Sequence, residues 1–170
     1  MSLDIVMEDL RWQTVGLDVL AARAEAATCA RLGLDPDMVE ASLLACDDAR
    51  IAVLNTRFRG KPAPTNVLSW PAVDLSPGVP GRDPHPPEPD PGGEIALGDI
   101  AIAYETCARE AAESGKALAD HATHLVVHGL LHLLGYDHES DADAALMEGL
   151  EIEVLGRLGL DDPYRNAERA

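Results

Sequence analysis

The chain has 170 residues, is 46% hydrophobic and 25% charged, and has a mean hydropathy of -0.06, which suits one globular domain with a sizeable core. Thirty acids against thirteen bases leave a net charge of -17, so long-range repulsion opposes generic attachment to nucleic acid or anionic lipid. The opening MSLDIVMEDLRWQ has no basic region followed by an apolar one, and no uncharged apolar run approaches the ~18 residues of a membrane span, so a cytoplasmic protein is expected.

In chain order, LDIVMED reads as a short strand, and alanine-rich Val19 to Leu32 reads as a helix that stops at Gly33. MVEASLLACDD follows as a second strand and ARIAVLNTRF as a short helix, while PTNVLSWP, held between prolines, reads as a strand at a sheet edge. Residues 74–93 hold seven of the twelve prolines and four of the fourteen glycines, a density that predicts a solvated loop of polyproline II character with an inert His85 inside it. EIALGDIAIA is then a strand and YETCAREAAES a helix closed by Gly115. A second helix runs from about Leu118 to Leu134 and is closed by Gly135, and DADAALMEGLEIEVLGRLGL is an amphipathic final helix. No internal repeat or second domain is visible, so residues 1–170 are expected to form one unit.

Charge and cysteine usage are both informative. From Arg50 to Val73 there are four bases, Arg50, Arg57, Arg59 and Lys61, and no acid, whereas Glu139 to Ala170 carries nine acids and three bases. The three cysteines, Cys29, Cys46 and Cys107, are widely spaced and in no CxxC arrangement, so they read as small buried hydrophobes in a reducing compartment.

The chemistry concentrates in HGLLHLLGYDH, residues 128–138. At 100° per residue, His121, His124, His128 and His132 fall within an arc of roughly 80°. Leu118, Ala122, Leu125, Val126 and Leu133 occupy the adjoining core face. His128 and His132, at i and i+4, can reach one metal ion, and Gly135 lets the chain turn back so that His138 can return as a third ligand. Three neutral imidazoles with one open position describe a catalytic zinc site, because structural sites are normally closed by four protein ligands. His121 and His124 could contact substrate, support the ligands or bond to backbone. Asp137 could orient an imidazole or cap the turn.

The H-x3-H-x5-H spacing is that of metzincin proteases, but Gly129 stands where those enzymes carry their glutamate base. HGLLHLLGYDH instead resembles the signature of the bacterial YbeY family, zinc-dependent endoribonucleases of ribosomal RNA maturation. LNTRFRGKPAPTNVLSWP, GDIAIA and MEGLEIEVLGRLGLDDPY are similar to further blocks of that family, so the likeness runs from about Leu54 to Tyr164. The Pro-rich loop departs from the family in being long and acidic, and Trp70 stands where phenylalanine is commoner. The resemblance implies a zincin-like α+β fold, a single domain with a small mixed sheet flanked by helices and the zinc helix beneath it. It also implies one zinc ion held by His128, His132 and His138, with His128 and Arg59 as the catalytic residues.

Phosphodiester cleavage fits these residue types. A zinc ion lowers the pKa of bound water or polarises a phosphate oxygen, and a guanidinium forks onto two phosphate oxygens. The acid-free segment around Arg59 can form a local positive groove in an acidic chain, with Arg57 and Lys61 as backbone contacts. Single-stranded RNA suits such a site. Phe58 and Trp70 are candidates for stacking on its bases, although core packing is the expected fate of each. The expected partners are ribosomal RNA precursors and the small ribosomal subunit or an associated protein, with no DNA and no membrane. Two other readings stand beside this one: a ribosome-assembly binding factor with a mainly structural zinc, and a zincin-like peptide hydrolase.

Overall fold

Ile100 and Ile102 point to one side of a strand while Ala101 and Ala103 point to the other, the two-residue alternation that lets one strand serve two cores. The strand is β4 (Ile95–Ala103), and it sits inside a four-stranded sheet with β1 (Leu3–Met7), β2 (Val39–Cys46) and β3 (Val67–Pro71) in the order β1-β2-β4-β3. This is a computed structural model, and it describes residues 3–165. β1 pairs β2 and β2 pairs β4 in parallel, while β3 runs antiparallel to β4 at the edge, where Pro71 removes a donor the sheet does not need. Gly98, at φ +131, gives β4 its irregular step, and a Cβ there would meet the Trp70 carbonyl oxygen at 2.1 Å.

Six helices among the described residues complete an α+β domain: α1 (Arg11–Val15), α2 (Leu17–Leu32), α3 (Asp48–Arg59), α4 (Tyr104–Glu113), α5 (Leu118–Leu133) and α6 (Asp141–Arg157). Leu43, Ile100 and Ile102 meet Leu17, Ala21, Val126, Leu130, Met147 and Val154 of α2, α5 and α6 in the main core. On the opposite face Cys46, Leu68, Ala101 and Ala103 are closed off by Ile51 of α3. The mixed sheet flanked by helices is the fold expected, with α5 packed against β3 and β4.

The one element that the sequence pattern did not announce is α1, a single turn organised around Trp12. Its ring is fully buried and its Nε1–H donates to the Cys46 carbonyl at 3.0 Å. α6 begins with the Ser140 hydroxyl accepting from the Asp143 N–H at 3.1 Å and with Asp141 and Asp143 in the first turn, where the helix dipole favours negative charge. Residues 74–93 form no regular element and are mostly exposed. Yet the loop is pinned rather than wholly solvated: the His85 N–H donates to the Leu75 carbonyl at 2.8 Å and the Gly81 N–H to Asp143 Oδ1 at 2.8 Å. No helix among the described residues is long and apolar enough to cross a membrane.

Candidate metal centre

The site is built on α5, and its depth in the fold is set by a missing side chain. A Cβ on Gly129 would come within 3.1 Å of Ile100 Cδ1 and Cγ2, so the helix lies on β4 about as closely as glycine permits. The flank of α5 beside this buried face carries His121, His124, His128 and His132, none of them among the helix's buried residues. The side chains of the first three are 12%, 15% and 20% exposed.

His128 and His132, one helical turn apart, bring their Nε2 atoms to 3.0 Å. Two nitrogens bound tetrahedrally to zinc at about 2.0–2.1 Å stand roughly 3.3 Å apart, so the pair is set at ligand spacing. α5 then ends, Gly135 takes φ +98, and the Tyr136 N–H donates back to the Leu131 carbonyl at 3.1 Å. That reversal returns His138, whose ring centre lies 5.4 Å from that of His128 and 5.1 Å from that of His132. One nitrogen from each of the three imidazoles lies within 4.8 Å of the other two, and His138 is exposed, which leaves one side of the cluster open. A donor set of three imidazoles with an open side fits a metal ion of the catalytic zinc type.

Acceptors behind the imidazoles fix which nitrogen points inward. His132 Nδ1 lies 2.9 Å from the Tyr136 carbonyl and His128 Nδ1 lies 2.7 Å from Glu151 Oε1. A carbonyl and a carboxylate only accept, so each Nδ1 carries the proton and each Nε2 lone pair faces the centre. Burial pushes the His132 imidazole down to about 4, aided by His128 and His138 beside it, so it is neutral near pH 7.

Glu151 comes from α6 and has a fully buried side chain. Its second oxygen, Oε2, accepts from His124 Nε2 at 2.7 Å and from the Tyr164 hydroxyl. Burial alone would raise this carboxyl, but the hydrogen bonds from His124, His128 and Tyr164 outweigh it and hold it at about 2. The Tyr164 phenol is shifted upward by burial and by its bond to Glu151, so it keeps its proton as the donor.

The other residues singled out from the sequence fall as follows. His121 Nε2 lies 2.9 Å from Glu110 Oε1, which also accepts from Asn66 Nδ2 at 3.0 Å. Of the roles open to His121 and His124, the structure thus gives both carboxylate partners. Asp137 caps the turn, its Oδ1 accepting from the His138 N–H at 2.7 Å, and the Tyr136 carbonyl takes the place of an imidazole orienter. Arg59 lies exposed in the last turn of α3 and, among the described residues, makes no hydrogen bond or ion pair through its side chain, so no contact joins it to the imidazoles. Phe58 departs from the expected core packing: it is 58% exposed and meets the half-buried Trp70 edge-on at 5.4 Å. Asn55 holds the following loop, donating from Nδ2 to the Ala63 carbonyl at 2.9 Å. His85 is exposed on the Pro-rich loop, and the three cysteines are free and buried.

Sequence reasoning missed Glu151. Its signal is an acid in the apolar stripe of Met147, Leu150 and Val154, where a carboxylate stays buried only if it is paired.

Residues 7–159 match the family described as Endoribonuclease YbeY. Proteins with that name from Ruegeria pomeroyi and Dinoroseobacter shibae are 63% and 59% identical over 96% of this chain, covering 98% and 90% of their own lengths. A solution structure of a protein from Thermotoga maritima shares the fold with a TM-score of 0.56 at 24% identity, over 95% of this chain and 97% of that one. With its histidine cluster, its mixed sheet and a match to these relatives over nearly its full length, the chain belongs to the Endoribonuclease YbeY family.

Proposed function

We propose that this chain is a zinc-dependent, single-strand-specific endoribonuclease of the cytoplasm that matures ribosomal RNA, including the 3′ end of the 16S RNA, and serves ribosome quality control. The observation that carries this reading is the convergence of His128, His132 and His138, one nitrogen of each within 4.8 Å of the others. These three residues would hold one zinc ion, which when bound supplies a Lewis acid for a phosphate oxygen and lowers the pKa of bound water. His128 and His132 keep their Nε2 lone pairs inward through the protons on Nδ1. His138, exposed at the rim, leaves the fourth side to substrate.

Arg59 supplies the second half of the chemistry by forking onto two phosphate oxygens of the strand. With Arg57 and Lys61 it belongs to the acid-free run from Arg50 to Val73, a local attraction for phosphate in a chain of net charge -17. The exposed ring of Phe58, backed by Trp70, offers a face on which an unpaired base can stack. Duplex RNA keeps its bases stacked inside, so single strands and loops are the natural substrate. The small ribosomal subunit or a protein associated with it would present that substrate. Peptide hydrolysis is disfavoured by Gly129, which faces Ile100 and puts no carboxylate at the base position of the metzincin spacing.

The test is cleavage of a single-stranded RNA carrying the unprocessed 3′ end. Wild type, His132→Ala, and wild type stripped by chelator and resupplied with zinc are compared. Cutting should vanish in the variant and return to wild type only with restored metal. Equal cutting by wild type and variant would overturn the reading.

A further inference from the structure

We infer that Glu151 is a positioning residue for the metal centre, tethered in place by Tyr164 of the C-terminal segment. The inference rests on the reading above, that His128 holds a metal ion. Three geometric facts carry it. Glu151 is fully buried, although α6 has other acids free to face solvent, such as the 55% exposed Glu153. Its two oxygens divide the work, Oε1 facing His128 Nδ1 at 2.7 Å and Oε2 facing His124 Nε2 at 2.7 Å. Tyr164 then donates its hydroxyl proton to Oε2, and its ring packs edge-on to His124 with centres 5.7 Å apart.

A buried carboxylate against the Nδ1 of a ligating histidine does two things. It admits only the tautomer whose Nε2 lone pair is free, and it makes that nitrogen a better donor to a cation. A glutamine of the same shape can do neither reliably. Its amide must turn its NH2 either toward His124 and Tyr164 or toward His128, and the second choice moves the His128 proton onto Nε2, the atom the metal needs. His124 and Tyr164 hold the carboxylate at the correct rotation, so a residue beyond the last helix contributes to a site built on α5. The cluster of His124, His128 and Glu151 has metal-like spacing itself, but the hydrogen bonds already made by both Glu151 oxygens assign it to support instead.

The experiment uses full-length wild type, Glu151→Gln, Tyr164→Phe and His132→Ala, with zinc affinity read by competition against a chromophoric chelator. The metal-free forms are compared by circular dichroism and by imidazole nitrogen NMR. Glu151→Gln should remain folded, weaken zinc about tenfold to a hundredfold, and show His128 as a mixture of tautomers where wild type shows the Nδ1–H form. Tyr164→Phe should weaken zinc roughly threefold, the loss of one hydrogen bond at one remove. If Glu151→Gln binds zinc within twofold of wild type with an unchanged His128 tautomer, Glu151 merely fills the core and the inference falls. An unchanged Tyr164→Phe removes the C-terminal segment from it. Should wild type and His132→Ala bind zinc equally weakly, it is the metal reading of the site that fails, a distinct result.

Discussion

Replacing Gly135 by alanine tests the turn that returns His138 to the other two imidazoles. Gly135 has φ +98, where an L residue is strained by about 1–2 kcal/mol. The added Cβ would also stand 2.8 Å from the Leu75 carbonyl carbon and 2.8 Å from Pro84 Cβ, so the Pro-rich loop must move away. Forced overpacking costs roughly 1–3 kcal/mol, which brings the expected loss to about 2–5 kcal/mol. For a chain of this size about 2–4 °C is lost per kcal/mol, so metal-free Gly135→Ala should melt roughly 4–20 °C below wild type. Gly33→Ala is the control. Gly33 has φ +71 and open space on every side, with nothing within 4 Å of the point a methyl group would occupy, so it should show the conformational cost alone, about 1–2 kcal/mol. Urea unfolding of the three proteins in chelator gives the comparison. If Gly135→Ala is no less stable than Gly33→Ala, the contact between turn and loop does not constrain the fold and the reasoning is wrong.

Arg59→Glu should abolish cleavage while leaving zinc affinity and the melting temperature near those of wild type, because the exposed guanidinium has no partner among the described residues; a large fall in melting temperature would contradict this. The metal-free protein should lose stability as pH falls from about 6.5 toward 4. The folded His132 pKa of about 4 lies below the ordinary 6.5, so the unfolded state takes up more protons over that window. Glu151 extends the decline below its ordinary 4.5, since its folded value of about 2 is also depressed. A thermal series in chelator checks this, and His132→Gln should flatten the upper part; an equal decline in that variant would refute the assignment. Trp12→Phe should cost about 2–4 kcal/mol in urea unfolding, because it leaves a cavity and strips the buried Cys46 carbonyl of its 3.0 Å donor.

Much of this was legible because the relevant signals are local. A run of small and branched residues marked β4, the proline-flanked VLSW placed β3 at an edge, and i, i+4 spacing with a glycine stop marked the imidazole cluster. What stayed hidden is non-local. Glu151 pairs with residues 23 and 27 positions away in sequence, so its place in the apolar stripe of α6 marks it as buried but does not name its partners. α1 is too short to show a period, and its anchor, the bond from Trp12 to Cys46, spans 34 positions. Phe58 was misjudged because a lone aromatic gives no hint of which helix face it occupies, and α3 turns it outward.

The three converging imidazoles all lie within residues 128–138, whereas the carboxylate behind them arrives from α6. If these imidazoles hold zinc as proposed, closing so short a segment costs an unfolded chain little entropy, so the denatured protein would chelate the ion too. Ion-linked stabilisation reports only the difference between native and denatured affinities, and a chain that competes with its own folded form narrows that difference. Zinc would therefore raise the unfolding free energy by less than its native affinity alone implies, and it could be captured during synthesis, before α6 emerges to refine the site.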